Sequence, residues 1–243
     1  MRGIEENKES KFLNGSSIHQ LLFKSLLWIV ISLLVLAGLL FGFAGKLDWE
    51  RGWIFTLTFF VCIIINLAIL FITNPEVIEE RSRFHRDAKK WDMILMSVGS
   101  VFILGTLVVA GLDEKNKWSE LSGVGWLYLG VFLFIIGNLV ILWAMALNKW
   151  FSKLVRIQSE RGHKVVTRGP YRYVRHPGYL GWAGMWIAIP LILGSLWSFV
   201  PAVLSVILIV VRTSLEDKTL HSELPGYMEY ASKVKYRLIP KVW

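Results

Sequence analysis

Apolar residues arrive along this chain in long, near-continuous runs. The first, residues 25–44 (SLLWIVISLLVLAGLLFGFA), is about the length that spans a bilayer as a helix. It follows a polar head, residues 1–24, exceeds the apolar region of a signal peptide, and is not followed by a small-residue cleavage site, so it reads as a retained span. Three further runs, at 53–73, 93–112 and 124–147, predict three more spanning helices. The fifth run, 179–211, holds 33 residues, too many for one straight helix across a hydrocarbon core of about 30 Å. Pro190, Gly194, Ser195 and Pro201 interrupt it, which predicts two short helices joined by a tight turn.

Charge decides between one crossing and two in that run. Split, it leaves 23 of the 27 Lys and Arg on one side of the membrane and 4 on the other; unsplit, the distribution is 17 to 10. The expected fold is therefore all-α and polytopic, an integral membrane protein with about six transmembrane helices, both termini in the cytoplasm and the last two helices forming a hairpin. Residues 1–24 form a cytoplasmic head, 25–147 four spans with their loops, and 148–243 a cytoplasm-facing functional region, hairpin and tail.

Composition agrees, with 54% hydrophobic residues. The net charge of +9 would suit a nucleic-acid binder, but the basic residues flank apolar runs as membrane topology requires, and no nucleic-acid partner is expected. Cys62 is the single cysteine and lies within an apolar run, so it reads as packing. Trp49, Trp53, Trp91, Trp118, Trp150 and Trp197 fall near predicted helix ends, where indoles anchor at the interface. Asn66 and Asn138, polar groups inside spans, are expected to bond between helices. No GxGxxG or P-loop motif, internal repeat or heptad array occurs.

Two cytoplasmic segments stand out. Residues 74–91, NPEVIEERSRFHRDAKKW, read as a short surface helix after an Asn-Pro break, a solvated connector lying on headgroups. Residues 156–179, RIQSERGHKVVTRGPYRYVRHPGY, alternate polar and apolar positions and turn at Gly169-Pro170. Pro177 disfavours helix at His176 and suits the first turn of the next helix, leaving amides there to face an anion. Arg172, Arg175 and His176 at the mouth of an apolar run serve either as topology signal or as part of a polar binding site.

The stretch RGPYRYVRHPGYLGW, preceded by GHKVV and followed by RTSLED and ELPGYMEYASKVKYRLIP, resembles the isoprenylcysteine carboxyl methyltransferase family and its phospholipid methyltransferase relatives, from about residue 143 onward. The resemblance implies a membrane methyltransferase that takes S-adenosylmethionine in a cytoplasm-facing pocket rather than in a Rossmann domain. Carried over by motif, the cofactor-binding residues are Gln158, the strip His163, Lys164, Val165 and Val166, then Tyr171, then His176, Pro177, Gly178 and Tyr179, and finally Glu216. Arg212 occupies the substrate-facing, catalytic position. Asp217 replaces a second Glu often found there, with the same charge and a shorter reach, and is left outside the expected set.

The chemistry is consistent with those roles. A sulfonium, an amino group and a carboxylate call for aromatic surface, an anion and an anion acceptor. Tyr171 and Tyr179, Glu216, and the helix start at Pro177 supply the three, while Arg212 at a membrane boundary suits a two-point clamp on a carboxylate. A carboxylate acceptor, titrating near about 3.5, needs no general base; an amine or thiol would draw on His176 or Glu216. Gly181, Gly184 and Ala188 allow close helix contact where a lipid tail enters. Isoprenylcysteine-type carboxyl O-methylation is the leading expectation, with N-methylation of a phospholipid or S-methylation of a thiol beside it. An NADPH-dependent sterol-type reductase using the basic 149–175 loop, and a non-catalytic membrane sensor, are the other classes. The expected partners are a lipophilic or lipidated substrate and membrane lipids, with no metal.

Overall fold

The computed structural model describes residues 15–83 and 87–243, with side chains from residue 19 onward. Most of the expected head, residues 1–14, lies outside the described residues. Helix α1 (Gly15–Ala44) begins ten residues before its apolar run and so takes in the end of the expected head. Helices α2 (Glu50–Thr73), α3 (Pro75–Ser82), α4 (Lys90–Asn116) and α5 (Val124–Leu147) follow, then α6 (Pro177–Leu193), α7 (Phe199–Glu223) and α8 (Tyr227–Lys233). The described residues contain no strand. Five helices, α1, α2, α4, α5 and α7, are long and apolar enough to cross a membrane. Helix α6 has 17 residues, about 25 Å at 1.5 Å each, shorter than those five. Large apolar side chains such as Leu34, Ile72, Val101 and Phe132 face outward, as a lipid-bathed surface requires and a water-bathed one does not.

The run 179–211 does divide into two packed helices, but at one place. The chain breaks at residues 194–198, where Gly194 adopts φ +76°, a conformation side chains disfavour. Pro190 stays inside α6, and Pro201 sits in the first turn of α7, where no backbone donor is needed. Arg51 fastens this turn, donating to the carbonyls of Leu191 (3.3 Å) and Leu121 (3.1 Å). Buried Asp113 accepts from Ser195 and from the Ser119 amide (2.7 Å).

Helices α5 and α6 meet backbone to backbone. A Cβ built on Gly181 would lie 2.4 Å from the Gly137 carbonyl oxygen, and one on Gly137 2.6 Å from that of Gly181. Ala188 is fully buried beside this contact, but Gly184 faces open space, so the close approach expected of it belongs to Gly137 instead. Asn66 and Asn138 bond to each other as expected, at 2.7 and 3.2 Å. Cys62 is buried in the apolar core.

Two readings of the polar segments change. Helix α3 is not a solvated connector: Val77 is fully buried in an apolar cluster with Leu70 and Ile141, and Glu80 is buried against Arg156. Among the expected interfacial indoles, Trp53, Trp118 and Trp197 are exposed, whereas Trp49 is buried and Trp150 turns inward against His163. After α8 the tail folds back onto the start of α6, where the amides of Arg175 and His176 donate to the carbonyls of Tyr236 and Arg237, each at 2.9 Å. The ends of α3 and α7, the start of α4 and α6, the 148–176 loop and the tail thereby converge on one region.

Candidate functional site

That region encloses an open cleft of about 830 Å³, including the solvent at its mouth. Eleven of the twelve expected residues line it: His163, Lys164, Val165, Val166, Tyr171, His176, Pro177, Gly178, Tyr179, Arg212 and Glu216. Gly178 is required by packing, since a Cβ there would stand 2.7 Å from the Phe151 ring. Gln158 is the exception. It is fully buried, its amide donating to the Trp150 carbonyl (2.7 Å) and accepting from Arg161 (2.6 Å), so it braces the loop from behind instead of facing the cleft.

The two ends of the cleft differ in character. At one, Tyr171, Leu224, Tyr227 and Tyr230 pack with Val165, Val166 and Leu220. At the other, Trp182 packs on the apolar cluster of Leu70, Val77, Ile141, Leu142 and Met145, and Phe151 lies between the two, packed on both. Trp150 adds a flat face, stacked on His163 with ring centroids 5.5 Å apart.

Polar groups are held by buried carboxylates. Asp217 accepts from Arg175 at 2.8 and 2.9 Å, from Arg237 at 2.9 Å and from the Tyr227 hydroxyl at 2.8 Å, with His176 Nε2 at 3.3 Å. Its neighbour Glu216 turns the other way, lining the cleft and accepting from the Tyr179 hydroxyl. The shorter carboxylate is thus a brace and the longer one a wall. The start of α6 offers fewer amides than Pro177 alone suggests, because those of Tyr179 and Leu180 fold back to the His176 carbonyl at 3.1 and 3.3 Å.

Arg212 also departs from expectation. Its Nε and Nη2 already grip Asp92, at 2.7 and 3.0 Å, and Nη2 donates to the Lys153 carbonyl at 2.7 Å. The two-point fork expected to clamp an acceptor is therefore occupied by the protein, leaving Nη1 outside these bonds and the guanidinium 5.0 Å from the Tyr179 ring centre. Asp92, fully buried in the first turn of α4, accepts in addition from the Val155 amide at 2.7 Å, tying the loop to two helices.

The loop itself is braced by ion pairs. Arg156 binds Glu80 (3.0 Å), Asp87 (2.8 Å) and Glu160 (2.8 Å), and Arg161 binds Glu76 (2.9 Å) and Glu80 (3.2 Å). Burial, and then the charges of Arg156 and Arg161, push His163 down to about 4. The imidazole is accordingly neutral near pH 7, and its Nδ1 faces the Gln158 amide at 3.4 Å. Burial pushes the Tyr171 and Tyr227 hydroxyls above their ordinary range, so both are hydrogen-bonding groups and not anions.

Comparison with known proteins bears on the same segment. The model of the isoprenylcysteine carboxyl methyltransferase family matches residues 129–222. Over those residues the chain is similar to that family. A probable protein-S-isoprenylcysteine O-methyltransferase of Oryza sativa subsp. indica is 32% identical over 90 residues, which is 36% of this chain and 47% of the relative; that of subsp. japonica aligns equally. The protein-S-isoprenylcysteine O-methyltransferase of Homo sapiens is 32% identical over 71 residues, 28% of this chain and 25% of the relative. The chain thus spans about half the length of the rice relatives it matches.

The matched segment carries every expected site residue but not everything that builds the site. Asp92 and the acidic face of α3 precede it. Sequence reasoning counted these positions only as loop charges. One signal was present: Asp92 is a carboxylate at the start of an apolar helix, on the side richest in cations.

Proposed function

We propose that this chain is an integral membrane methyltransferase that takes S-adenosylmethionine in the cleft and methylates a lipophilic carboxylate of the isoprenylcysteine type. The observation that carries the reading is the convergence of eleven motif residues on one cleft whose walls fit that cofactor. Trp150, Tyr171 and Tyr179 offer aromatic surface, Val165, Val166 and Leu220 an aliphatic strip, and Glu216 a carboxylate for an ammonium group. When bound, S-adenosylmethionine supplies an electrophilic methyl group on a sulfonium.

The chain's own residues do the rest. The Tyr179 hydroxyl donates to Glu216 and keeps that carboxylate aimed. Asp217, from behind the wall, fixes Arg175 and His176, which line it. Phe151, Tyr179 and Trp182 exclude water at the membrane end, so that an acceptor carboxylate is desolvated and aligned there. A carboxylate needs no base, which agrees with His176 being engaged by Asp217 and Tyr227. A reductase would draw on the cations of the 149–175 loop, yet Arg156, Arg161 and Arg175 are already paired with carboxylates.

Label transfer from methyl-labelled S-adenosylmethionine to an N-acetyl-S-prenylcysteine, with the full chain in detergent, tests the reaction. Glu216→Gln should weaken S-adenosylhomocysteine binding about tenfold or more while the protein still folds, because a charge-assisted bond in a shielded site is lost. Unchanged affinity in that variant would remove Glu216 from the site, and no transfer to acid, amine or thiol acceptors would end the methyltransferase reading.

The same reading has α6 and α7 both crossing the membrane, which brings the cleft and the C-terminus to the cytoplasmic side. Reporters fused at Trp150 and after Trp243 are expected on that side alike. Opposite locations would require α6 to stop within the bilayer, reversing the 23-to-4 charge argument.

A further inference from the structure

The last turn of α3 carries a guanidinium with a buried nitrogen that no described residue bonds. Glu76, Glu79 and Glu80 on the same helix bond to Arg161, Arg83 and Arg156. Arg81 Nη1 is buried and makes no hydrogen bond among the described residues. The guanidinium lies 5.6 Å from the centre of the Phe151 ring. The hydroxyl of the next residue, Ser152, is likewise buried and without a partner, and Phe151 and Ser152 both line the cleft. Buried donors are nearly always satisfied, so an orphan hydroxyl on the cleft wall and an orphan guanidinium nitrogen next to that wall's Phe151 ring mark a place that a ligand completes.

The surroundings name the ligand's charge. Trp182 meets Phe151 at 6.3 Å and Tyr179 at 5.6 Å between ring centres, and Arg212 lies over Tyr179, so two guanidiniums flank one three-ring wall. They repel each other: burial, and then the Arg212 charge, lower Arg81 to about 10. Lys153 is lowered too, by burial and then by Arg81. Asp92 neutralises Arg212, but among the described residues no carboxylate is bonded to Arg81. An anion is the group that would compensate it.

Position names its source. Arg81 stands over Phe151, which packs both on the apolar cluster of Leu70, Val77, Ile141, Leu142 and Met145 and on the cluster of Tyr171 and Tyr227, while Trp182 beside it packs on the first of these alone. A lipid tail from the bilayer meets the first cluster, and the polar head of that lipid stops at Arg81. We propose that Arg81, the Ser152 hydroxyl and Arg212 Nη1 form a receptor for the acceptor's carboxylate, an inference that rests on the methyltransferase reading. The receptor also distinguishes substrate from product. As the C–O bond forms, the C–S bond breaks and its electron pair stays on sulfur, so carboxylate and sulfonium become a neutral ester and a neutral thioether. The ester keeps no charge for Arg81 to hold.

Calorimetry of the full chain in detergent, saturated with S-adenosylhomocysteine, tests this with N-acetyl-S-prenylcysteine and its carboxamide as probes. The wild type should bind the acid about tenfold or more tightly than the amide, Arg81→Gln should bring the two within about twofold, and Arg81→Lys should fall between. Affinity for S-adenosylhomocysteine itself should stay within about threefold in each variant, which a merely collapsed site would not allow. Ser152→Ala, a smaller change that spares the fold, should narrow the acid preference by about three- to tenfold. An acid preference that persists in Arg81→Gln, or equal binding of acid and amide by the wild type, overturns the receptor. A parallel loss of S-adenosylhomocysteine binding in Arg81→Gln would assign the anion to the cofactor's carboxylate and overturn the acceptor assignment. Failure of the methyltransferase reading looks different: a wild type that prefers the acid yet neither binds S-adenosylhomocysteine nor transfers label.

Discussion

Asp92→Ala is expected to cost about 3–5 kcal/mol of stability and to abolish methyl transfer, because it leaves the Arg212 guanidinium buried with its counter-charge gone. Arg212 is only 3% exposed, so neither water nor a side-chain swing can replace the lost carboxylate. The Val155 amide loses its acceptor in the same step, and with it the loop that carries Phe151 and Ser152 comes free. A thermal midpoint in detergent and the yield of monodisperse protein measure the first effect, and label transfer measures the second.

The pair can be taken apart further. Replacing both partners, Asp92→Leu with Arg212→Met, removes the stranded charge as well as the bridge, and such double replacements are often neutral for stability. Folded yield should return most of the way to wild type while transfer stays absent, since the remaining Arg212 donor is gone too. Recovery of transfer along with yield would reduce Arg212 to a strut and contradict its place beside the acceptor.

What the sequence disclosed and what it withheld follow from the range of the forces involved. The spans were legible because a bilayer sorts residues by a property that each carries alone, and the 24-residue, largely apolar run Val124–Leu147 needs no partner to be recognised. The break in the run 179–211 was legible because Gly194 forms a turn locally. The motif residues of the cleft were legible because they lie close together in the chain, in 158–179 and 212–216. What stayed hidden is pairwise and distant. Asp92 meets Arg212 across 120 positions, Glu80 meets Arg156 across 76, and no periodicity announces either. The same blindness misplaced Gln158 and the clamp role of Arg212: the residue type fitted a ligand, but a protein group had reached the side chain first. Gly184 failed for a simpler reason, since spacing shows which residues are small and not which face meets a neighbour.

Asp217→Ala should produce the second large loss, again about 3–5 kcal/mol, and by a route that separates it from the adjacent Glu216. Its carboxylate holds Arg175 from the 148–176 loop, Arg237 from the tail and Tyr227 from α8, with His176 against one oxygen. Removing it strands Arg175, which is 8% exposed, and loosens the tail whose carbonyls cap the amides of Arg175 and His176. The tail should then detach before the helices melt, because Arg175, which bonds the Val234 and Lys235 carbonyls besides the two backbone bonds, loses the carboxylate that holds it in place, and the Leu238 contact with Tyr179 and Ile209 is left as the main anchor. Limited proteolysis should release peptides beyond Val234 from Asp217→Ala at temperatures where the wild type and Glu216→Gln remain intact. S-adenosylhomocysteine binding should fall in both variants, but for different reasons: Glu216→Gln removes a wall group from a closed site, and Asp217→Ala opens the site. Restoring the tail by an added tether, such as a designed cross-link between residues near 175 and 236, should therefore rescue binding in Asp217→Ala and leave Glu216→Gln unchanged. Rescue of neither would mean that Asp217 itself contacts the cofactor, and rescue of both would mean that Glu216 does not.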